Sequence, residues 1–163
     1  LDENPRYSGA AQLVRSLERL GYAQSWNDAL LLFNSHWSRV RLAGFSHQQV
    51  IEAIHAAGGV AVLAHPVFMK WNGAWIGADQ AANLASAGLD GLEIYHPRMD
   101  PAARAHYLSL AGKFDWIITG GSDEHGGAGE FSRLGSELVT YEMVHAARQR
   151  ADRYRHRKQG HGR

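Results

Sequence analysis

The chain has 163 residues, of which 45% are hydrophobic and 20% charged, with a formal net charge of +1. These values predict a globular protein with one domain, or part of one, and a sizeable core. Because the chain contains no cysteine, disulfides, zinc-finger cages and cysteine nucleophiles are excluded. No apolar run is long enough to span a bilayer and no signal peptide is visible, so we expect a cytoplasmic protein without a membrane partner.

The charge is unevenly distributed along the chain. Residues 148–163 contain seven Lys and Arg against one Asp, a net charge of +6, which leaves −5 on residues 1–147. A basic tail of this kind can contact nucleic acid. The alternative is a frayed, solvated terminus. The second interpretation is favoured, because Tyr154 is the only aromatic residue in the tail.

The first 58 residues predict helices. Leucine and valine spacing indicates a helix over residues 8–20, and a Ser-x-x-Asp pattern begins a short second helix over residues 25–33. Residues 34–45 are expected to form a loop that includes two arginines. Ser46 and Gln49 form a capping pattern for a third helix.

From residue 59 the pattern changes to strands that alternate with helices, which is typical of a parallel sheet with right-handed crossovers. The predicted strands are 60–64, 92–95 and 116–118, and the predicted helices are 77–87 and 100–113. Asp100 and Pro101 provide the cap and first turn of the second of these helices. Residues 136–140 are expected to form a last strand before a basic helix.

Each predicted strand ends in residues that can bind a metal. The first two strands run into His65-Pro66 and His96-Pro97, where proline ends the ladder. The third runs into residues 119–126, TGGSDEHG, which carry Asp123 and His125 two positions apart. Imidazoles and carboxylates are ligands of divalent metals. We therefore expect these residues to meet at the carboxyl-terminal rim of the sheet.

Each of these residues also has an ordinary structural interpretation. His65 and His96 can also be simple turn residues. The Asp123 and His125 pair makes metal binding the stronger interpretation for these two residues and for His65, whereas for His96 the functional and the structural interpretations are level. Glu93 can orient a histidine from the second coordination shell or serve as a paired structural carboxylate. Arg98 can bind a phosphate bidentately or lie on the surface.

Three motifs in this order, AHP at 64–66, GLEIYHP at 91–97 and GGSDEHG at 120–126, resemble the polymerase and histidinol phosphatase (PHP) family of metal-dependent phosphoesterases. The spacing is similar to that of its small nucleotide-phosphatase branch. Glu124 departs from the family, which often has Phe there. The resemblance implies an α/β fold, a partial distorted (β/α) barrel.

The resemblance also implies a mechanism and a set of site residues. A metal-activated water would hydrolyse a phosphomonoester or phosphodiester of a phosphorylated small molecule or nucleotide, with no side chain as nucleophile. His65, Asp123 and His125 would bind divalent ions, which could be Mn, Zn, Fe or Mg. His96 and Arg98 would contact the substrate.

The family begins with a His-x-His strand, but no two histidines of this chain are two residues apart, and the chain begins at Leu1. We therefore expect the C-terminal portion of a larger domain. Residues 1–45 would be a helical insertion, 46–147 the C-terminal part of the barrel and 148–163 a basic tail. Alternatives are a non-catalytic fragment and a regulatory or nucleic-acid-associated domain.

Overall fold

The computed structural model describes residues 10–37, 44–70, 73–124 and 133–160, which form a mixed α/β structure with a small parallel sheet. The elements, in chain order, are α1 Ala10–Arg19, α2 Trp26–Trp37, α3 His47–Ala56, β1 Val62–Leu63, α4 Ala78–Ser86, β2 Gly91–Tyr95, α5 Pro101–Lys113, β3 Ile117–Gly120 and α6 Tyr141–Gly160. A short 3-10 turn, Pro66–Phe68, follows β1. None of these helices combines the length and apolar character needed to cross a bilayer.

Helices α1 and α2 belong to one compact unit, and the sheet with the other helices forms a second unit. Helix α1 lies within the predicted range and ends before Gly21, whose φ of 77° is the left-handed conformation that glycine adopts easily. At the start of α2 the Ser25 hydroxyl accepts a hydrogen bond from the Asp28 N–H at 3.2 Å. The predicted capping pattern is thus confirmed.

Helix α2 continues to Trp37, beyond the predicted end at Phe33. The Ser35 hydroxyl donates to the Leu32 carbonyl at 2.8 Å, and His36 Nδ1 lies 3.0 Å from the same oxygen. These side chains satisfy a carbonyl near the helix end, so the last turn is supported. Arg39 and Arg41, both predicted in a loop, lie outside the described residues.

The second unit contains one sheet with the strand order β1-β2-β3, and both pairings are parallel. Parallel pairing was predicted from the alternation of strands and helices, and it is confirmed. Leu92 and Ile94 of β2 are 1% and 0% exposed, because β2 is the central strand and packs against α5. The core of this unit also includes Tyr107 and Trp116.

The helix starts in this unit match their sequence signals. Ser46 and Gln49 form a reciprocal capping box at α3. The Asp100 carboxylate accepts the Ala103 N–H at 2.8 Å at the start of α5. Strand β1 is only two residues long, shorter than the predicted 60–64. The strand predicted at 136–140 is wrong: these residues pair with no strand, and Leu138 is 68% exposed.

Helix α6 contains most of the basic segment and is attached to the sheet through Asp90, which is 1% exposed and directly precedes β2. One carboxylate oxygen accepts the Tyr154 hydroxyl at 2.6 Å. The other accepts the Ala61 N–H at 2.8 Å and lies 2.8 Å from His55 Nε2. Residues 148–160 are therefore helical rather than the frayed terminus that the sequence favoured, because buried polar contacts hold the helix in place.

Candidate functional site

The carboxyl ends of the three strands bring His65, His96 and Asp123 together. Since neighbouring parallel strands run in the same direction, the residues that follow them lie at one edge of the sheet. The rings of His65 and His96 are 6.0 Å apart between centroids, and His96 Nε2 lies 3.4 Å from Asp123 Oδ2. Three of the predicted site residues therefore share one rim.

His65 has an unusual backbone conformation, with φ of 32° and ψ of 57°, at the junction of β1 and the 3-10 turn. Its N–H donates to Glu93 Oε2 at 2.6 Å, so a carboxylate from β2 holds this amide. The following residue is held as well, because the buried Tyr107 hydroxyl donates to the Pro66 carbonyl at 2.9 Å. Burial raises the pKa of the Tyr107 hydroxyl. Two hydrogen bonds thus fix the turn that carries His65.

His96 is 2% exposed, and its two ring nitrogens have different surroundings. Nδ1 accepts a hydrogen bond from the Arg98 N–H at 3.0 Å. A neutral ring whose Nδ1 is an acceptor carries its proton on Nε2. Nε2 is buried and makes no hydrogen bond within the described part of the chain, although it faces Asp123. His96 therefore presents an N–H towards the rim.

Asp123 follows β3 through a segment of small residues. A Cβ at Gly120 would lie 2.5 Å from Tyr95 Cβ and 2.6 Å from the Tyr95 carbonyl oxygen, so only glycine fits where β3 ends against β2. Asp123 has φ of 52°, and its side chain is 39% exposed. His125, its predicted partner, lies outside the described residues.

The described residues include three non-glycine residues with positive φ, and two of them are His65 and Asp123. Such conformations cost about 1–3 kcal/mol each and persist where surrounding contacts impose them. For His65 the imposing contact is the Glu93 hydrogen bond. Backbone strain is thus concentrated at the strand ends where the sequence predicts metal ligands.

The donor atoms at the rim suit a divalent metal in kind, because they are imidazole nitrogen and carboxylate oxygen. Within the described ranges, no three His, Asp or Glu side chains are close enough together to hold an ion. The described residues alone therefore do not form a metal site, and the assignment of His65 and Asp123 as ligands stays a prediction.

Sequence reasoning missed two residues of this rim. Phe68 is 57% exposed, and its ring meets those of His65 and His96 at centroid distances of 5.8 and 5.5 Å. Tyr107 lies 41 residues from the carbonyl that it holds. No local pattern signals either contact. Glu93 was considered as an acceptor for a histidine ring, but its partner in the structure is the backbone of His65. Arg98 is exposed and contributes its backbone N–H to His96.

No family model matches the chain. Two curated proteins match at 34% identity: a phosphoribosyl 1,2-cyclic phosphate 1,2-diphosphodiesterase of Eggerthella lenta over 88 residues and a 5'-3' exoribonuclease of Haemophilus influenzae over 94 residues. The matches cover 54% and 58% of this chain but 31% and 34% of those proteins. The chain thus spans about a third of the length of the curated relatives it matches.

Two solved structures show the same fold. A proposed metal-dependent phosphoesterase of Bifidobacterium adolescentis matches with a TM-score of 0.73 and 31% identity over 87% of this chain and 50% of its own. An amidohydrolase of Chromobacterium violaceum matches with a TM-score of 0.64 and 17% identity over 93% of this chain and 53% of its own, which is a likeness of fold alone.

The fold and the rim define an α/β protein with a parallel sheet, in which imidazole and carboxylate groups follow the ends of the strands. Its similarity in sequence and structure to phosphoesterases confirms the resemblance predicted from the three strand-end motifs, to metal-dependent phosphoesterases of the PHP family.

Proposed function

We propose that this chain is part of a metal-dependent phosphoesterase that hydrolyses a phosphomonoester or phosphodiester of a nucleotide-like substrate. The observation that carries the proposal is the convergence of His65, His96 and Asp123 at one rim, with His96 Nε2 3.4 Å from Asp123 Oδ2. The names of the curated relatives, a cyclic phosphate diphosphodiesterase and an exoribonuclease, support a phosphate ester in a ribose-containing substrate.

In this proposal His65, Asp123 and His125 bind divalent ions, of which Mn, Zn, Fe and Mg are the candidates. Such ions, when bound, polarise the phosphoryl oxygens and lower the pKa of water. Glu93 keeps His65 in its left-handed conformation, so that the imidazole projects from the end of β1. The Asp123 carboxylate is partly exposed and thus accessible to an ion.

His96 serves the substrate rather than the metal. Since its Nδ1 accepts the Arg98 N–H, its Nε2 carries a proton and cannot donate a lone pair to an ion. A buried N–H with no hydrogen-bond partner in the described part of the chain suits an anionic phosphoryl oxygen. The exposed Arg98 side chain can add a bidentate contact to the same group.

The parent fold in this proposal is a distorted (β/α) barrel, to which residues 46–147 contribute the C-terminal part. Residues 1–45 are a helical insertion, and 148–163 a basic extension. The support is that this chain matches 50% of the solved phosphoesterase. Opening strands would bring the remaining metal ligands. A cytoplasmic location is consistent with a chain that contains no cysteine and therefore no disulfide.

The experiment compares the 163-residue chain with a longer protein that includes any upstream reading frame, using adenosine monophosphate and bis-p-nitrophenyl phosphate with Mn²⁺, Zn²⁺ or Mg²⁺. The short chain is expected to hydrolyse these substrates at the background rate, because two or three ligands cannot hold several ions. The longer protein should hydrolyse a substrate and lose activity on Asp123→Ala or His125→Ala but not on Asp152→Asn. Full activity in both Ala variants would contradict the site.

A second candidate is a non-catalytic, regulatory domain that binds nucleic acid. It is favoured by the exposed basic residues of α6, which include Arg148, Arg153 and Arg155. Binding of single-stranded DNA that weakens steeply with salt, and that is lost on charge reversal of these arginines, would support this candidate. Binding without salt dependence would exclude it.

A further inference from the structure

Phe68 is a large apolar residue that the fold leaves exposed beside the candidate site. It belongs to the 3-10 turn that follows His65, and it is 57% exposed. The preceding residue, Val67, is in contrast partly buried against the core. A single exposed apolar residue is ordinary by itself. This one is distinguished by its place, because its ring lies against both histidine rings of the rim.

The Phe68 ring adjoins His96, whose N–H binds the phosphoryl group in the proposed function. Its centroid is 5.5 Å from that of His96, with the two planes at 89°, and 5.8 Å from that of His65. In such edge-to-face and tilted pairs the rings contact each other over only part of their surface. Since Phe68 is more than half exposed, much of its ring stays open next to the buried His96 N–H.

The backbone that carries Phe68 is held by hydrogen bonds. The Phe68 N–H donates to the His65 carbonyl at 3.1 Å, and the Met69 N–H donates to the Pro66 carbonyl at 2.9 Å. The Pro66 carbonyl also accepts the Tyr107 hydroxyl. A ring on a backbone held in this way loses little conformational freedom when a ligand stacks on it, and this preorganisation favours binding.

A planar aromatic ligand suits this surface better than an aliphatic one. Every nucleobase has a π face that can stack on a phenyl ring, whereas a sugar has none. In a nucleotide the base is joined to its phosphate through one ribose, so the base can contact Phe68 while the phosphate contacts the neighbouring His96. A sugar phosphate without a base would leave the phenyl ring in water.

We propose that Phe68 is the stacking platform for the base of a nucleotide substrate and that it gives the site a preference for nucleotides over sugar phosphates. The inference rests on the proposed function for the place of the phosphate, at His96, and adds the group that recognises the base. Stacking of a base on an aromatic side chain is worth a factor of roughly 5 to 150 in affinity.

The first test measures the hydrolysis of adenosine monophosphate and of ribose 5-phosphate by the longer protein with Mn²⁺. Phe68→Ala should raise the KM for adenosine monophosphate at least fivefold and leave kcat nearly unchanged, because stacking stabilises the bound substrate and the transition state equally. The KM for ribose 5-phosphate should stay within twofold. Phe68→Trp, which keeps an aromatic face, should retain the preference for the nucleotide.

The control is Phe45→Ala, which removes a phenyl ring that is 82% exposed ahead of α3 and should change neither KM. Equal losses on both substrates in Phe68→Ala would overturn the proposal, since they would assign the ring to positioning the two histidines. Unchanged kinetics on both substrates would overturn it as well.

A second measurement needs neither metal nor turnover. In saturation-transfer NMR with EDTA present, the longer protein should saturate the adenine protons of adenosine monophosphate more strongly than its ribose protons. Phe68→Ala should reduce the adenine signal at least twofold, and Phe45→Ala should keep it. This result without hydrolysis would refute the proposed function alone. Hydrolysis without any saturation of adenine would refute the stacking platform alone.

Discussion

Glu93 Oε2 accepts a hydrogen bond of 2.6 Å from the backbone N–H of His65, a residue held at φ of 32°. The two residues are 28 positions apart: Glu93 lies on β2, and His65 follows the end of the neighbouring strand β1. A carboxylate acceptor strengthens a hydrogen bond, which offsets the conformational cost at His65. The central strand thereby positions a candidate ligand at the end of the neighbouring strand.

The first prediction concerns this contact. Glu93→Ala should remove the protection of the His65 amide from hydrogen exchange and lower the free energy of unfolding by about 2 kcal/mol. Glu93→Gln keeps an acceptor, so it should retain part of the amide protection and part of the stability. Glu52→Ala on the exposed face of α3 is the control. An unchanged exchange rate at His65 in Glu93→Ala would mean that the contact has no positioning role.

The second prediction concerns the buried Tyr107 hydroxyl. Tyr107→Phe leaves the Pro66 carbonyl without its donor and should cost about 1–2 kcal/mol in urea unfolding, while Tyr22→Phe, at an exposed residue, should change little. Failure to destabilise would show that water replaces the hydroxyl.

The third prediction follows from the raised pKa of Tyr107, whose ordinary value is 10.0. Above that pH the unfolded state loses the proton before the folded state does, so the free energy of unfolding should fall as pH rises through 10 and beyond. In Tyr107→Phe the slope of the free energy of unfolding against pH should be smaller, because the one proton of the Tyr107 hydroxyl no longer contributes. Melting temperatures between pH 8 and 11 test this, and equal slopes in both proteins would contradict it.

The fourth prediction contrasts two glycines. Gly120→Ala should destabilise the protein by about 1–3 kcal/mol, because the new methyl group meets Tyr95 at 2.5 Å. Gly112→Ala, exposed on α5 with nothing within 4 Å, should stabilise it by about 0.5–1 kcal/mol. Urea unfolding measures both, and equal effects would show that the strand end tolerates a side chain.

The fifth prediction concerns the attachment of α6. Asp90→Asn replaces a buried carboxylate, which accepts a hydrogen bond from Tyr154 and lies near His55 and Arg150, with a neutral amide. The free energy of unfolding should fall by about 3 kcal/mol. Asp152→Asn, whose partner Arg155 is exposed, should cost less than about 0.5 kcal/mol. Thermal unfolding followed by circular dichroism distinguishes them. Similar melting temperatures would mean that α6 is held by its apolar contacts.

Local sequence signals predicted the helix starts and the parallel strands well. Ser46 with Gln49, and Asp100 with Pro101, act within one turn of helix, so the sequence alone contains the interaction. The failure at residues 136–140 has a related origin. Side chains such as Val139 and Thr140 are common in strands, but strand formation also needs a neighbouring strand to pair with.

For the candidate site, the sequence by itself determined which residues follow the three strands, because a His-Pro step ends the first two and a pair of glycines ends the third. The tertiary structure alone decided that His96 Nε2 faces Asp123, that Glu93 holds the backbone of His65 and that Tyr107 holds Pro66. Those contacts join residues 27 to 41 positions apart, and such pairs are set by strand register and helix packing rather than by any local pattern.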